Sequence, residues 1–207
     1  SLGSEYGNAA PDRRKRRPVS LIVMSISGFK DLFSAQSAEY ARYRPKYPPG
    51  LFKFLSSLVT SHDRALDCGT GNGQAAVALA SYFKEVIATD PSAQQIGNAV
   101  AHPNVRYRVE PAEQTSIEPA SVDLVTAAQA AHWFDHERFN VEVRRVAKPG
   151  AVIALWSYGH NREITPEIYH VVRHFSDEIT GSYWSPEIRH VWEEYRTIPF
   201  PFSELSA

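Results

Sequence analysis

The sequence has one cysteine, Cys68, and one methionine, Met24, among 207 residues. A single cysteine excludes an intrachain disulfide and a zinc site built from several cysteines, and we expect no metal centre. Cysteine used this sparingly is typical of a reducing compartment, so we expect a cytoplasmic protein. The apolar run near the start, Ser20–Ile26, is interrupted by serines and falls far below the roughly 18 residues of a membrane span. No membrane partner is expected.

An excess of one charge is lacking too, because 22 Lys and Arg residues face 23 Asp and Glu residues, for a net charge of -1. Balanced charge gives no general attraction to nucleic acid and favours a small-molecule substrate or a soluble partner. The basic run Arg13–Arg17 has the composition of a nuclear signal or nucleic-acid arm, but such short runs are more often solvated tails. We predict that residues 1–28 form a disordered extension and that residues 29–207 form one domain.

The hydrophobic pattern changes period repeatedly from Arg64 onward, where short apolar runs alternate with segments whose apolar residues recur every three or four positions. This alternation predicts a Rossmann-like α/β fold, a doubly wound and mostly parallel sheet with helices on both faces. The predicted strands are 64–68, 85–90, 104–110, 121–129 and 151–157, and the predicted helices are 48–61, 73–83, 92–101 and 135–148. Proline after Thr165 and after Ser185 predicts two further helix starts.

A glycine-rich loop follows the first of these strands, in the sequence Asp67-Cys68-Gly69-Thr70-Gly71-Asn72-Gly73. Glycines there let the backbone turn tightly and approach a ligand, and the next helix offers free N–H groups at its start. Asp90 ends the second strand, from which a carboxylate can accept hydrogen bonds from both hydroxyls of a ribose. The two features together predict a cofactor that contains adenosine. A turn with no ligand is the alternative interpretation of the loop alone.

The spacing of the glycines separates two cofactor classes. Nicotinamide and flavin folds show G-x-G-x-x-G, whereas this loop reads G-x-G-x-G after an acidic residue. It resembles motif I of the class I S-adenosylmethionine-dependent methyltransferases, and the resemblance implies S-adenosylmethionine as the cofactor. By that resemblance Asp67 faces the methionyl amino group and Asp90 binds the ribose. The loop residues implied to lie against the cofactor are Gly69, Thr70, Gly71 and Gly73.

The resemblance extends from about Phe29 to Phe202 and becomes specific to a branch. The chain is similar to the small-molecule methyltransferases related to trans-aconitate methyltransferase, of methyltransferase type 11. The segments that carry this likeness are Tyr40–Pro48, Ala112–Glu113, Ser121–Val125 and Gln129–Asp135. One departure is Pro111, which stands where many members carry the acid that binds the adenine amino group. The resemblance then implies that backbone groups around Ala112 and Glu113 bind the adenine.

Residues after the fourth predicted strand are expected at the cleft, because ligands bind outside the carboxyl ends of parallel strands. We assign His132 as the catalytic candidate, either a general base or a group that positions the acceptor, since histidine titrates near neutral pH. The alternative is a histidine with a structural role only, whose hydrogen bonds are all made within the protein core. Gln129 is assigned to the cofactor by its position. Trp133 is assigned to the substrate cleft, with a core role equally open.

Tyr40, Tyr43 and Arg44 precede the predicted core, and we assign them to the substrate as a lid over the cofactor. Arg44 is able to hold a carboxylate, of the substrate or of the methionyl group, in two hydrogen bonds. A surface segment that Pro45 and Pro48 keep extended is the alternative.

These assignments predict an enzyme that moves the methyl group of S-adenosylmethionine to a small-molecule acceptor. A carboxylate acceptor needs no proton removed, and Arg44 or His132 then serves as an anchor. A hydroxyl or amine acceptor needs a base, for which His132 is the candidate. The alternative from another class is a regulatory or scaffold protein that binds S-adenosylmethionine without turnover, because a fold alone does not establish catalysis.

The C-terminal part predicts an incomplete sheet. The class I methyltransferases that the chain resembles close their sheet with a hairpin of two strands after the fifth. Here the candidate strand after Ser157 is Arg196–Phe202, which Pro199 and Pro201 interrupt. We therefore expect an unpaired edge beside the fifth strand, open to pairing with another copy in a homo-oligomer.

Overall fold

A computed structural model describes the chain over residues 20–27, 47–159 and 165–205. The strands are β1 Ser20–Ser27, β2 Arg64–Cys68, β3 Glu85–Asp90, β4 Val105–Val109, β5 Val122–Ala128, β6 Ala147–Gly159 and β7 Ser203–Glu204. They form one sheet in the order β4-β3-β2-β5-β6-β1-β7, and each recorded pairing is parallel.

Helices connect these strands. Those of the described residues are α1 Pro49–Ser57, α2 Gln74–Leu79, α3 Ala93–Gly97, α4 His136–Val146, α5 Pro166–Arg173 and α6 Ile188–Trp192. A 3₁₀ turn, Ala131–Trp133, follows β5, and Asp135 then caps α4 by accepting the N–H of Arg138 at 3.2 Å. None of the helices in the described part of the chain is long and apolar enough to cross a membrane.

The predicted alternation of strands and helices is confirmed in the central part of the chain, where β2 and β3 have the predicted bounds. Side chains on neighbouring positions point to opposite faces of the sheet. Leu124 and Trp156 pack on one face together with α1 and α2, and Val125 and Leu155 pack on the other with α4 and α6. Because helices cover both faces, the doubly wound α/β class is confirmed.

The edge of β6 differs from the prediction. β1 pairs with β6 from Ser20 opposite Val152 to Ser27 opposite Gly159, and β7 adds two residues beyond β1. The prediction of an unpaired edge beside this strand is therefore wrong, and the residues of β1 do not lie in an extension outside the fold. The physical reason is that Leu21–Met24 is rich in strand-forming residues, and its backbone pairs the N–H and C=O groups of the β6 edge.

The predicted strand at 196–202 is wrong as well. This segment consists of turns and irregular chain that lies over α4. The side-chain amide of Asn140 donates to Pro199 O at 3.1 Å, and the guanidinium of Arg144 lies over the Phe202 ring, 4.7 Å from its centroid. Pro199 and Pro201 have no N–H to give to a ladder, so the segment does not pair as a strand.

Candidate active site

The strand order reverses beside β2, because β3 and β4 lie on one side of it and β5 and β6 on the other. At such a switch point the connections leave in opposite directions and open a crevice at the carboxyl ends of the strands. The glycine loop follows β2 at this point, and residues 130–135 follow β5. The two segments touch, since an ideal Cβ on Gly69 would lie 2.5 Å from Ala130 Cβ. The sheet thus brings the two predicted parts of the site together.

Asp67 lies at the base of the loop and is 0% exposed. One carboxylate oxygen accepts the hydroxyl of Thr70 at 2.6 Å and the other accepts the hydroxyl of Thr126 at 2.8 Å. Burial raises the pKa of Asp67 to about 6, although the two threonine hydroxyls act to lower it. These bonds fix the Asp67 carboxylate beneath the loop, and its contact with a methionyl amino group stays a prediction.

The loop itself is built on left-handed backbone, with φ of +63° at Gly69, +57° at Gly71 and +87° at Gly73. Glycine adopts these conformations without steric cost. Thr70 closes the loop, because its N–H donates to Thr89 O at 2.9 Å and its carbonyl accepts the N–H of Gly73 at 3.0 Å. The tight turn predicted from the glycine spacing is confirmed.

Asp90 ends β3 and is partly exposed. One of its oxygens accepts the N–H of Gly71 and the other accepts the N–H of Ser92, both at 2.9 Å. These bonds hold the carboxylate between the glycine loop and the start of α3. Since a carboxylate oxygen can accept more than one hydrogen bond, each oxygen keeps capacity for a ligand hydroxyl.

Buried polar atoms in and beside the loop have no hydrogen-bond partner among the described residues: Asn72 Oδ1, Gln74 Oε1 and Gln129 Nε2. Gln129 also has a left-handed backbone, with φ of +58°, which costs free energy in a residue other than glycine. Its N–H donates to Trp156 O at 2.9 Å. Buried polar groups are normally paired, so these atoms indicate a site that a polar ligand completes.

Ala112 and Glu113 lie in the connection after β4, where Ala112 is buried and Glu113 is partly exposed. Glu113 Oε1 accepts the N–H of Asp135 at 2.8 Å, which ties this connection to the segment after β5. Both residues therefore lie at the same end of the sheet as the glycine loop.

An ion pair between a buried carboxylate and a partly exposed arginine holds the same connection and was not predicted. The Glu142 side chain, 8% exposed, accepts the N–H and the hydroxyl of Thr115 at 2.8 and 2.6 Å and pairs with Arg145 at 2.6 Å. Burial acts to raise the pKa of Glu142, but the hydrogen bonds from Arg145 and Thr115 outweigh it and lower the pKa. The spacing of three residues on a helix is visible in the sequence, yet such pairs usually lie on solvated faces.

His132 lies in the 3₁₀ turn and is 6% exposed. Its Nδ1 lies 3.0 Å from Tyr195 Oη, and its ring packs beside that of Trp133, with centroids 4.8 Å apart. Burial, with smaller effects from His190 and His136, lowers the pKa of His132 to about 4. The imidazole is therefore neutral at pH 7 and a weaker base than an ordinary histidine.

The substrate assignments divide into two groups. Trp133 is 51% exposed beside His132, which agrees with a cleft residue better than with a core residue. Tyr40, Tyr43 and Arg44 lie outside the described residues, as do residues 1–19 of the predicted extension. In the part of the chain that the structure describes, no three His, Cys, Asp or Glu side chains are grouped to hold a metal ion.

Two other residues of the site were not predicted. Thr126 is register partner to Asp67 in the neighbouring strand, and a lone hydroxyl within the apolar run of β5 is the signal that could have found it. Tyr195 is 63 positions from His132 and follows a helix of five residues. Nothing local in the sequence pairs these two side chains.

Comparison with known proteins gives a consistent result. Residues 66–155 match the family model described as a methyltransferase domain. A Dictyostelium discoideum protein named as a methyltransferase is 40% identical over 181 residues, which cover 86% of this chain and 69% of that protein. A Saccharomyces cerevisiae protein named as an S-adenosylmethionine-dependent methyltransferase is 31% identical over 172 residues, which cover 77% of this chain and 59% of that protein.

Solved structures agree. One from Anaeromyxobacter dehalogenans, described as a type II methyltransferase, is 50% identical with a TM-score of 0.71, and the match covers 80% of this chain and 70% of that chain. The likeness thus holds in sequence and in fold.

Proposed function

Since the chain belongs to the class I S-adenosylmethionine-dependent methyltransferases, we propose that it transfers the methyl group of S-adenosylmethionine to a small-molecule acceptor, with a carboxylate as the first candidate. The observation that carries the proposal is the coupling of the glycine loop to Asp90. The Gly71 N–H bond to the Asp90 carboxylate fixes the loop and the ribose-binding group relative to each other.

The residues present fit the cofactor. Asp90 holds capacity for two ribose hydroxyls, and the left-handed glycines let the loop backbone approach a ligand. Asn72 Oδ1 and Gln129 Nε2 offer a buried acceptor and a buried donor that lack partners among the described residues. The bound cofactor supplies an activated methyl group on its sulfonium, and the chain supplies position and exclusion of water.

The acceptor is assigned to the end of β5, where His132 and Trp133 lie. The neutral His132, with its pKa of about 4, is a weak base at pH 7. A carboxylate is already nucleophilic and needs no proton removed, so it suits this site better than an alcohol or amine. Because the net charge is -1, nothing in the composition favours a nucleic acid over a small molecule.

The test is a methylation screen with radiolabelled S-adenosylmethionine over small organic acids and over alcohols and amines of the same carbon skeletons. We expect label to move to acids, and we expect Asp90→Ala to transfer much less label at the same cofactor concentration. Transfer to alcohols or amines alone would remove the carboxylate part of the proposal. Tight binding of the cofactor by calorimetry with no transfer to any class would identify a binding protein without turnover.

A further inference from the structure

Tyr195 and His132 form an isolated buried pair of side chains. Oη and Nδ1 are 3.0 Å apart, and the two residues are 3% and 6% exposed. In the described part of the chain, His132 Nδ1 is the one hydrogen-bond partner recorded for the phenol and Nε2 has none. The hydrogen bond between the two side chains therefore determines which ring nitrogen of His132 carries the hydrogen.

The direction of the hydrogen bond follows from what surrounds the phenol. Burial raises the pKa of Tyr195, so the phenol keeps its proton, and in the described residues the one recorded acceptor within reach of its O–H is His132 Nδ1. A buried O–H that finds no acceptor costs free energy, so the hydroxyl donates to the acceptor within reach. The available acceptor is Nδ1 of His132, and a neutral imidazole that accepts at Nδ1 carries its hydrogen on Nε2.

The backbone at Tyr195 adopts a conformation that costs free energy. Glu194 and Tyr195 have φ of +54° and +62°, two consecutive residues other than glycine in the left-handed region. Such conformations persist only where the surrounding structure imposes them. Here the N–H of Tyr195 donates to His190 O at 2.7 Å and its carbonyl accepts the N–H of Ile198 at 3.1 Å. The strained turn delivers the phenol to the 3₁₀ turn after β5.

From this geometry we propose that Tyr195 is a positioning residue that fixes His132 as the Nε2–H tautomer, so that His132 serves the acceptor as a hydrogen-bond donor and not as a general base. The role of His132 toward the acceptor rests on the proposed methyl transfer, but its tautomer can be measured whether or not the protein transfers a methyl group. The other groups that face the ring are His136, His190 and Glu187, and none of them is hydrogen-bonded to it in the described residues.

The direct test is nitrogen NMR of ¹⁵N-histidine-labelled protein at pH 7, with the His132 resonances assigned from their loss in His132→Gln. We expect Nδ1 to resonate as an unprotonated nitrogen and Nε2 as a protonated one. Tyr195→Phe keeps the ring and removes the hydroxyl, so it should shift His132 toward a mixture of tautomers. Tyr183→Phe, at a phenol that is 86% exposed, is the matched control and should change nothing. A protonated Nδ1 in the unaltered protein, or no change in Tyr195→Phe, overturns the proposal.

Kinetics add a second readout. Glutamine places an amide donor near the Nε2 position, whereas asparagine does not reach it, so His132→Gln should retain more transfer than His132→Asn. Tyr195→Phe should lower turnover by about tenfold with little change in cofactor affinity. Equal loss in the glutamine and asparagine variants points to a base and overturns the donor role. If no acceptor is methylated by any form, the proposed function fails, while the NMR result still decides the tautomer.

Discussion

The two halves of the proposed site are built in different ways. The cofactor half comprises the glycine loop with Asp67 and Asp90. A hydrogen bond from the N–H of Gly71 to the carboxylate of Asp90, 19 positions further along the chain, ties this loop to β3. The acceptor half comprises residues 131–133 with Tyr195. Here a hydrogen bond joins the side chains of His132 and Tyr195, which are 63 positions apart. The cofactor half depends on the backbone conformation of the glycine loop. The acceptor half depends on a contact with Tyr195, which is distant in the sequence. Substitutions should therefore affect stability and cofactor binding in the first half, and turnover in the second.

The largest effect is expected at Gly69, where the halves meet. Gly69→Ala puts a methyl group 2.5 Å from Ala130 Cβ, which no side-chain rotation can move, at a φ of +63°. Left-handed strain and overpacking together should cost about 2–5 kcal/mol of unfolding free energy. Urea unfolding measures the loss, and Gly97→Ala, with nothing within 4 Å, is the control that should cost nothing. Equal stability of the two variants would contradict contact between the halves.

In the absence of cofactor, the buried carboxylate of Asp67 should lower the free energy of unfolding at neutral pH. Its folded pKa of about 6 lies above the ordinary aspartate pKa of 3.8, so between these values the folded state holds a proton that the unfolded state releases. The Asp67 contribution to stability is then fully present below about pH 4 and falls by about 3 kcal/mol as the pH rises from about 4 to 6. Asp67→Asn should remove this fall and be the more stable form at pH 7. Urea unfolding from pH 4 to 8 tests this, and parallel pH curves for the two proteins would count against the buried carboxylate.

Asp90 tests the cofactor half by binding. Asp90→Ala removes the acceptor for the N–H groups of Gly71 and Ser92 and for the proposed ribose contact. Loss of charge-assisted hydrogen bonds should weaken S-adenosylmethionine binding by about 1.5–3 kcal/mol. Calorimetry gives the dissociation constant, with Asp177→Asn at the surface pair with Arg173 as the control. An unchanged constant in Asp90→Ala would remove Asp90 from the site.

A smaller effect is expected at Glu142, which ties the connection after β4 to α4. Its pKa is lowered in the fold, so its contribution is present above the unfolded value of about 4.5 and is lost as the pH falls below it. Glu142→Gln should cost about 1–2 kcal/mol at pH 7 and less at pH 3. Unfolding at both pH values tests the sign. Glu178→Gln, at a side chain 72% exposed, should show no such difference.

The local geometry of the glycine loop could be predicted from the sequence, whereas the surroundings of His132 could not, for a physical reason. Glycine spacing and a strand-ending acid are local patterns, and their backbone consequences at Gly71 and Asp90 follow from short-range geometry. The burial of His132 depends on Tyr195, which no periodicity places there. The β1 pairing was missed because a short apolar run flanked by serines carries no signal of its partner, and the edge of β6 supplies that partner only in three dimensions.

We propose that the cofactor half binds S-adenosylmethionine independently of the acceptor half. The most direct test is titration calorimetry of S-adenosylmethionine into the folded His132→Ala protein, alongside methyl transfer by the same sample. We expect the dissociation constant to stay within about threefold of the unaltered protein, less than 1 kcal/mol, while turnover falls by at least about tenfold. Equal losses of affinity and turnover would contradict the account and place His132 in the cofactor site.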